Sequence, residues 1–201
     1  NNVSGFSVAV WKAAKKMQLP IVHTLRDYHL LCLRSSMYRN ASKCETQCLD
    51  CSCASRLKKK ASYGVNHVIG ISRSILDRHL SFGLFPDSRK SVIFNTVNSD
   101  VQQSDKGIPD SLTFGFIGRL SPEKGVALLL SAFGHSEVCN RARLVVAGEG
   151  DPGYVEGLKK SVAANSQIDF VGRVAADDFY RKIDVLICPS IWEEPFGRVV
   201  V

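Results

Sequence analysis

Between residues 112 and 188 apolar runs of strand length alternate with stretches of helix length, and this alternation constrains the fold more than any other feature. Strand-like runs over 112–118, 142–148, 168–172 and 185–188 are separated by helix-like stretches over 125–134, 154–164 and 176–182. A parallel neighbour is reached only through a crossover, so this order predicts a parallel sheet with helices on both faces. In the first helix Val126, Leu129, Leu130 and Phe133 form the inward stripe. The predicted class is α/β.

The first half is less regular. Phe6, Val10, Ala13, Ala14 and Met17 recur at helical spacing behind Ser4, a candidate cap, and a strand follows over 20–25. Residues 26–55 show no period and hold most of the cysteines, which marks a long irregular insertion of the functional or metal-stapled kind. Beyond it come a helix over 56–63, a strand over 65–71, a helix opened by Ser72 and closed by Gly83, and a strand over 91–95. Residues 98–111 turn polar, as connections between domains do. The predicted division is a first domain over 1–100 with a Cys-rich loop at about 32–53, a linker over 101–111, and a second domain over 112–201.

With 45% hydrophobic and 22% charged residues the chain belongs with folded globular proteins, not disordered ones. No signal peptide is visible, and no apolar run approaches the roughly 20 residues that span a bilayer. The net charge of +7 includes clusters at Lys12, Lys15, Lys16 and at Arg56, Lys58, Lys59, Lys60. These suit either a solvated face or peripheral contact with an anionic membrane. Aromatic residues are not interleaved with them as base stacking requires, so nucleic acid is set aside as a partner. Five of the seven cysteines fall between positions 32 and 53. An odd, crowded set disfavours a secreted disulfide framework and points to a reducing, cytoplasmic compartment.

Three clusters carry possible chemistry. Residues 118–125 follow a strand and enter a helix, at the sheet edge where open α/β folds bind ligands. There Arg119 offers a planar fork and Lys124 a point charge, a pair suited to a diphosphate; the plainer alternative is a surface pair of Arg119 with Glu123. After the last strand, Glu194, Pro195, Phe196 and Gly197 read as a helix start whose free amides face the same cleft, or as a simple cap. Residues 148–153 fit a dinucleotide fingerprint with Asp169 as ribose ligand, which taken alone suggests an NAD-dependent oxidoreductase. Against it, Pro152 removes an amide donor and Glu149 and Asp151 would face the pyrophosphate. Cys44, Cys48, Cys51 and Cys53, with Cys32 upstream, are close enough for a four-thiolate zinc site, free thiols being the alternative. A metal-stapled interaction module is therefore the second functional hypothesis. Cys139 and Cys188 read as small core residues.

The runs IGRLSPEKG, LVVAGEG, IDFVGRV and DVLICPSIWEEPFG, in that order and spacing, resemble the donor domain of the retaining glycosyltransferases of family 4, which have the GT-B fold. SGFSVAVWKAAKKMQLPIVHTLRDYHLLC, HVIGIS and VIFNTV are similar to the end of the acceptor domain of those enzymes. The resemblance implies two Rossmann-like domains, both incomplete, and metal-independent transfer of a hexose from a nucleotide-diphosphate sugar. It implies a glycan or lipid-linked acceptor, as in cell-envelope polysaccharide synthesis, and no cofactor. Arg119 and Lys124 match the pair that grips the donor diphosphate, and Glu194 matches a glutamate that binds the sugar hydroxyls, with Phe196 and Gly197 nearby. Gly118, Gly148, Gly150, Arg173 and Val174 match positions lining the nucleotide pocket. Where many members have His then Asp, this chain has Arg26 and Asp27 between His23 and His29, so Arg26 or His23 is expected near the transferred sugar. A second glutamate would fall just after Val201, so an inactive fragment is expected.

Overall fold

The structure, a computed structural model, describes residue 3 and residues 6–96, 111–135 and 141–200. Nearly all of the linker expected over 101–111 lies outside the described residues, as do Ser4 and Cys139. The chain forms two compact units, one of residues 1–96 with 192–198, the other of residues 97–191 with 199–201.

The first unit runs α1 (Ala9–Lys16), β1 (Val22–Leu25), β2 (Tyr38–Arg39), β3 (Ser42–Lys43), α2 (Leu49–Ser62), β4 (His67–Gly70), α3 (Arg73–Ser81) and β5 (Arg89–Val92). Strands β1, β4 and β5 make a parallel sheet in the order β1-β4-β5, and β2 with β3 makes a small antiparallel pair. The core holds Trp11, Leu25, Tyr28, Leu31, Val68, Ile75, Leu76 and Phe85. Ser72 starts α3 by accepting the Ile75 N–H at 3.3 Å, a cap that satisfies a donor the helix leaves unpaired.

Three elements differ from expectation. Helix α1 begins only at Ala9, because Ser7 takes a positive φ of 62°, and it buries Trp11 while Phe6 and Met17 stay 80% and 69% exposed. The indole removes more apolar area from water than either of those side chains would, which sets the helix's rotation. Helix α2 starts at Leu49, ahead of the expected residue 56, so Cys51 and Cys53 stand on a helix rather than in a loop. Its buried face is Cys51, Ser55 and Ser62, with the Ser55 hydroxyl donating to the Cys51 carbonyl. Small and weakly polar residues at helical spacing leave no apolar period to read. Strand β5 begins two residues early, where the Arg89 N–H donates to the Asn66 carbonyl at 2.9 Å, and Ile93 and Phe94 beyond it are exposed.

The second unit runs β6 (Leu112–Ile117), a 3-10 turn (Pro122–Lys124), α4 (Val126–Gly134), β7 (Ala142–Ala147), α5 (Pro152–Ser161), β8 (Ile168–Gly172), α6 (Ala176–Tyr180) and β9 (Val185–Leu186). Its four strands are parallel, in the order β8-β7-β6-β9. Alternate residues of β7 serve different faces, as the two-residue period of a strand requires. Leu144 and Val146 join Val126, Leu129, Leu130 and Phe133 of α4 and Leu158 of α5 in one cluster, and Ala147 joins Phe179 of α6 and Ile183 in another. Helices thus cover both faces, and each of the four inward α4 side chains contributes about 1.5–3 kcal/mol of burial. The chain steps outward from β6 through β7 to β8, then returns to the other flank of β6 as β9. That reversal makes the carboxyl ends of β6 and β9 a topological switch point, where open α/β sheets leave a crevice for ligands.

Candidate functional site

At that switch point the loops after β6 and β9 are locked together. Gly125 has φ 71°, and a Cβ there would lie 2.0 Å from the Pro189 carbonyl oxygen, so only glycine permits this approach. The Ile191 N–H donates to the Glu123 carbonyl at 3.0 Å. The loop between β6 and α4 holds Arg119 exposed and Lys124 half-buried. Burial, and then the nearby Arg119 guanidinium, push the Lys124 ammonium below its ordinary pKa, against the attraction of Glu123. The surface pair of Arg119 with Glu123 does not form: among the described residues no carboxylate is within ion-pair distance of Arg119. The Ser121 hydroxyl between them is buried without a hydrogen-bond partner among the described residues. Two neighbouring cations, repelling each other beside the switch point, form a site that favours a multiply charged anion. Cys188, expected in the core, is exposed, and its thiol lies near Lys124.

The loops after β6, β7 and β8 are tied side by side. The Gly118 N–H donates to Ala147, Leu120 to Glu149 and Gly148 to Gly172, at 3.0, 2.8 and 2.7 Å, and Leu120 bridges Gly150. Gly148 has φ 138°, and a Cβ on it would fall 1.7 Å from the Gly118 carbonyl oxygen. Gly118, Arg119, Gly148, Gly150, Arg173 and Val174 therefore share one edge of the sheet, Arg173 exposed and Val174 packed toward Phe179 and Ile183. The dinucleotide reading fails here. The Asp151 carboxylate occupies the start of α5, accepting the Tyr154 N–H at 2.9 Å, and Asp169 is paired with Arg143 at 2.9 Å. Gly148 and Gly150 let their loop approach the Gly118 and Leu120 carbonyls closely.

Residues 192–198 pack in the first unit. The helix expected from Glu194 is absent; residues 194–197 are irregular and a 3-10 turn spans Arg198–Val200. The Ser72 hydroxyl donates to the Pro195 carbonyl, so that oxygen is bound from the side instead of along a helix. Trp192 meets Tyr28 edge-on at 6.3 Å, Phe196 lies 6.2 Å from Phe94, and the Ser74 hydroxyl donates to Glu193 at 2.6 Å. Tyr28, Ser72 and Phe94 follow β1, β4 and β5, so the segment rests at the carboxyl edge of that sheet. Within it the Trp192 indole N–H donates to Glu194 Oε1 at 3.3 Å. Sequence reasoning read Ser72 only as a cap; nothing in its spacing signals that it also fixes Pro195.

His23 does not face a ligand. It is 4% exposed, edge-on to Trp11 at 5.0 Å and stacked on Phe85 at 5.9 Å, and burial lowers its pKa to about 3. It is a neutral core residue. Arg26 is exposed just past β1, and Asp27 Oδ1 accepts the His29 N–H at 2.8 Å, shaping the turn. Lys58 Nζ donates to the His29 carbonyl at 2.7 Å; burial, and then Lys58, hold the His29 ring below its ordinary pKa.

The zinc set is also corrected: among the described residues no group of three or more His, Cys, Asp or Glu side chains is placed to hold a metal ion. Residues two apart on a helix face apart, and α2 accordingly buries Cys51 while exposing Cys53. Among the described residues no helix is long and apolar enough to cross a membrane.

Residues 98–201 match the family model for glycosyl transferases group 1. Over all 201 residues the chain is 36% identical to an uncharacterized 42.6 kDa protein in the cps region of Klebsiella pneumoniae, covering 52% of that protein. It is 30% identical over 158 residues to an uncharacterized glycosyltransferase of Methanocaldococcus jannaschii, an alignment covering 70% of this chain and 40% of the relative. The chain thus spans about half the length, or less, of these curated relatives. Its fold is similar to that of Anabaena HepE, whose crystal structure holds UDP and glucose; the TM-score is 0.73 at 19% identity, covering 96% of this chain and 52% of that one. The parallel-sheet architecture is that of the Rossmann-like units of GT-B glycosyltransferases. With more than half of its residues matched by the family model, the chain belongs to the glycosyl transferases group 1 family.

Proposed function

We propose that this chain supplies the donor-diphosphate grip and part of the acceptor side of a retaining hexosyltransferase of family 4. The reaction moves a sugar from a nucleotide-diphosphate donor to a glycan or lipid-linked acceptor in cell-envelope polysaccharide synthesis. The observation that carries this reading is the Arg119 and Lys124 pair at the β6/β9 switch point. Cleaving a sugar to phosphate bond leaves negative charge on the departing nucleoside diphosphate. Prepositioned cations stabilise that charge as it grows, with no need of a divalent metal. The depressed Lys124 fits this role, because an arriving diphosphate turns a mutual repulsion into two attractions. UDP in the HepE structure makes a uridine diphosphate sugar the first donor to try, and the cps region of the Klebsiella relative supports a polysaccharide product.

In this reading Glu194 meets the sugar hydroxyls with the Phe196 and Gly197 amides close by. Gly118, Gly148, Gly150, Arg173 and Val174 line the nucleotide, and Arg26 with Asp27 serves the acceptor side. The first domain ends near residue 100 and the second begins near 112. The enzyme works in the cytoplasm at the inner face of the membrane, a placement supported by Lys12, Lys15 and Lys16 alongside the exposed Phe6, Met17 and Leu19. Calorimetry with UDP and uridine tests the central claim. UDP should bind at least about tenfold more tightly, as one or two charge-assisted hydrogen bonds provide. Equal affinities would remove the diphosphate site.

A further inference from the structure

We propose that Cys48 and Cys51 form a redox-active dithiol at the amino end of α2, Cys48 attacking and Cys51 resolving. Cys48 is the N-cap of this 14-residue helix, in extended conformation (φ −67°, ψ 163°), and Cys51 stands in its first turn. The Cys51 amide and thiol lie close to the Cys48 sulfur without closing a capping hydrogen bond, and the Arg39 guanidinium lies beside it. Arg39 is itself held by Asp50 at 3.7 Å. The proximity of Cys51, and then of Arg39, with the positive end of the helix dipole, lowers the Cys48 pKa, and the residue is half-exposed, within reach of a reagent. Cys51 is buried, and burial raises its thiol to about 11. An accessible sulfur that ionises readily and a buried sulfur that stays protonated are the division of labour that thiol–disulfide exchange needs.

The oxidant is a low-molecular-weight disulfide, RSSR. The Cys48 thiolate attacks one of its sulfurs, the RS–SR bond breaks, and one RS⁻ leaves and takes up a proton. Cys51 then loses its proton to solvent and attacks the Cys48 sulfur, expelling the second RS⁻. Two thiols become one disulfide and RSSR becomes two RSH. The Cys51 sulfur also lies near Leu33 and Cys32, and Gln47 Nε2 donates to the Leu31 carbonyl at 2.6 Å. Oxidation therefore acts on the turn that leads from Asp27 and His29. None of this rests on the transferase reading.

The test is thiol mapping by mass spectrometry on the full chain. At pH 7 iodoacetamide should modify Cys48 roughly tenfold faster than the more exposed Cys53, since thiolate fraction outweighs access. In oxidised glutathione a Cys48–Cys51 disulfide should form, persist in Cys53→Ser and vanish in Cys48→Ser. Serine caps helices well, so the last variant should fold, as circular dichroism will show. Faster labelling of Cys53, glutathione left unresolved on Cys48, a disulfide through Cys53, or zinc shielding all the thiols would each overturn the proposal.

Discussion

Replacing Arg119 with alanine removes one of the two cations beside the switch point and should weaken UDP while leaving uridine unchanged. A hydrogen bond to a charged group contributes about 1.5–3 kcal/mol net. Arg119 is exposed, so solvent screening puts it at the lower end, about 1.5–2 kcal/mol, or roughly 10–30-fold in affinity. One effect opposes this. Arg119 contributes to lowering the Lys124 pKa, and its removal lets Lys124 hold its proton more firmly, which favours the low end of the range. Titration calorimetry with UDP and uridine, at about 0.1 M and 1 M salt, reads both quantities. The wild-type preference for UDP should shrink at the higher salt, where the Debye length falls from about 10 Å to about 3 Å. Equal losses for UDP and uridine in Arg119→Ala, or a preference indifferent to salt, would show that Arg119 does not meet the diphosphate.

Lys124 gives a pH signature: its pKa is depressed in the free protein and restored by an anion, so UDP binding takes up a proton. Affinity should fall as pH rises through the lowered Lys124 pKa toward 10.5, and Lys124→Met should abolish that slope; an unchanged slope refutes the role. His23 and His79 titrate in the folded protein near 3 and 4 respectively, below their ordinary 6.5. Unfolding therefore takes up protons once pH drops under 6.5, and stability is lost from there downward by about 1.4 kcal/mol per pH unit per histidine. In urea titrations between pH 6.5 and 5, His23→Gln should lose up to about 1.4 kcal/mol per pH unit of the wild-type slope, the rest coming from His79 and His29, and an undiminished slope would mean His23 is not buried neutral. Gly148→Ala should cost about 3 kcal/mol or more in chemical denaturation, because its Cβ would meet the Gly118 carbonyl at 1.7 Å with φ at 138°. A loss under about 1 kcal/mol would mean that the two loops can part freely.

The second unit was legible because its burial follows the periods that sequence exposes. Val126, Leu129, Leu130 and Phe133 are apolar at helical spacing, and all four are buried. The first unit hides its signals in small or polar side chains. Cys51, Ser55 and Ser62 form the inner face of α2, and a hydropathy pattern does not register them. In β1 the register runs opposite to hydropathy, with Val22 58% exposed and His23 inside, because the imidazole stacks on Phe85 and meets Trp11 edge-on. That is why a core histidine resembled a ligand-facing one. Instead of the helix expected at Glu194 the segment is irregular and is held by a contact far away in sequence, the Ser72 hydroxyl on Pro195, which no local pattern encodes. The cations of residues 118–125 were readable because a short turn carries them, and short turns keep their residues close whatever packs around them.

The lodging of residues 192–198 among the side chains of the first unit bears on how this protein can be cut. A piece starting at residue 97 would carry Trp192 and Phe196 but leave behind the Tyr28 and Phe94 rings they lean on. Two large aromatic faces would be bared to water, an invitation to self-association. Stopping such a piece at Ile191 keeps its tie to the Glu123 carbonyl and avoids the stranded aromatics. The practical seam for excising the second unit therefore has two ends, and the later one falls before Trp192.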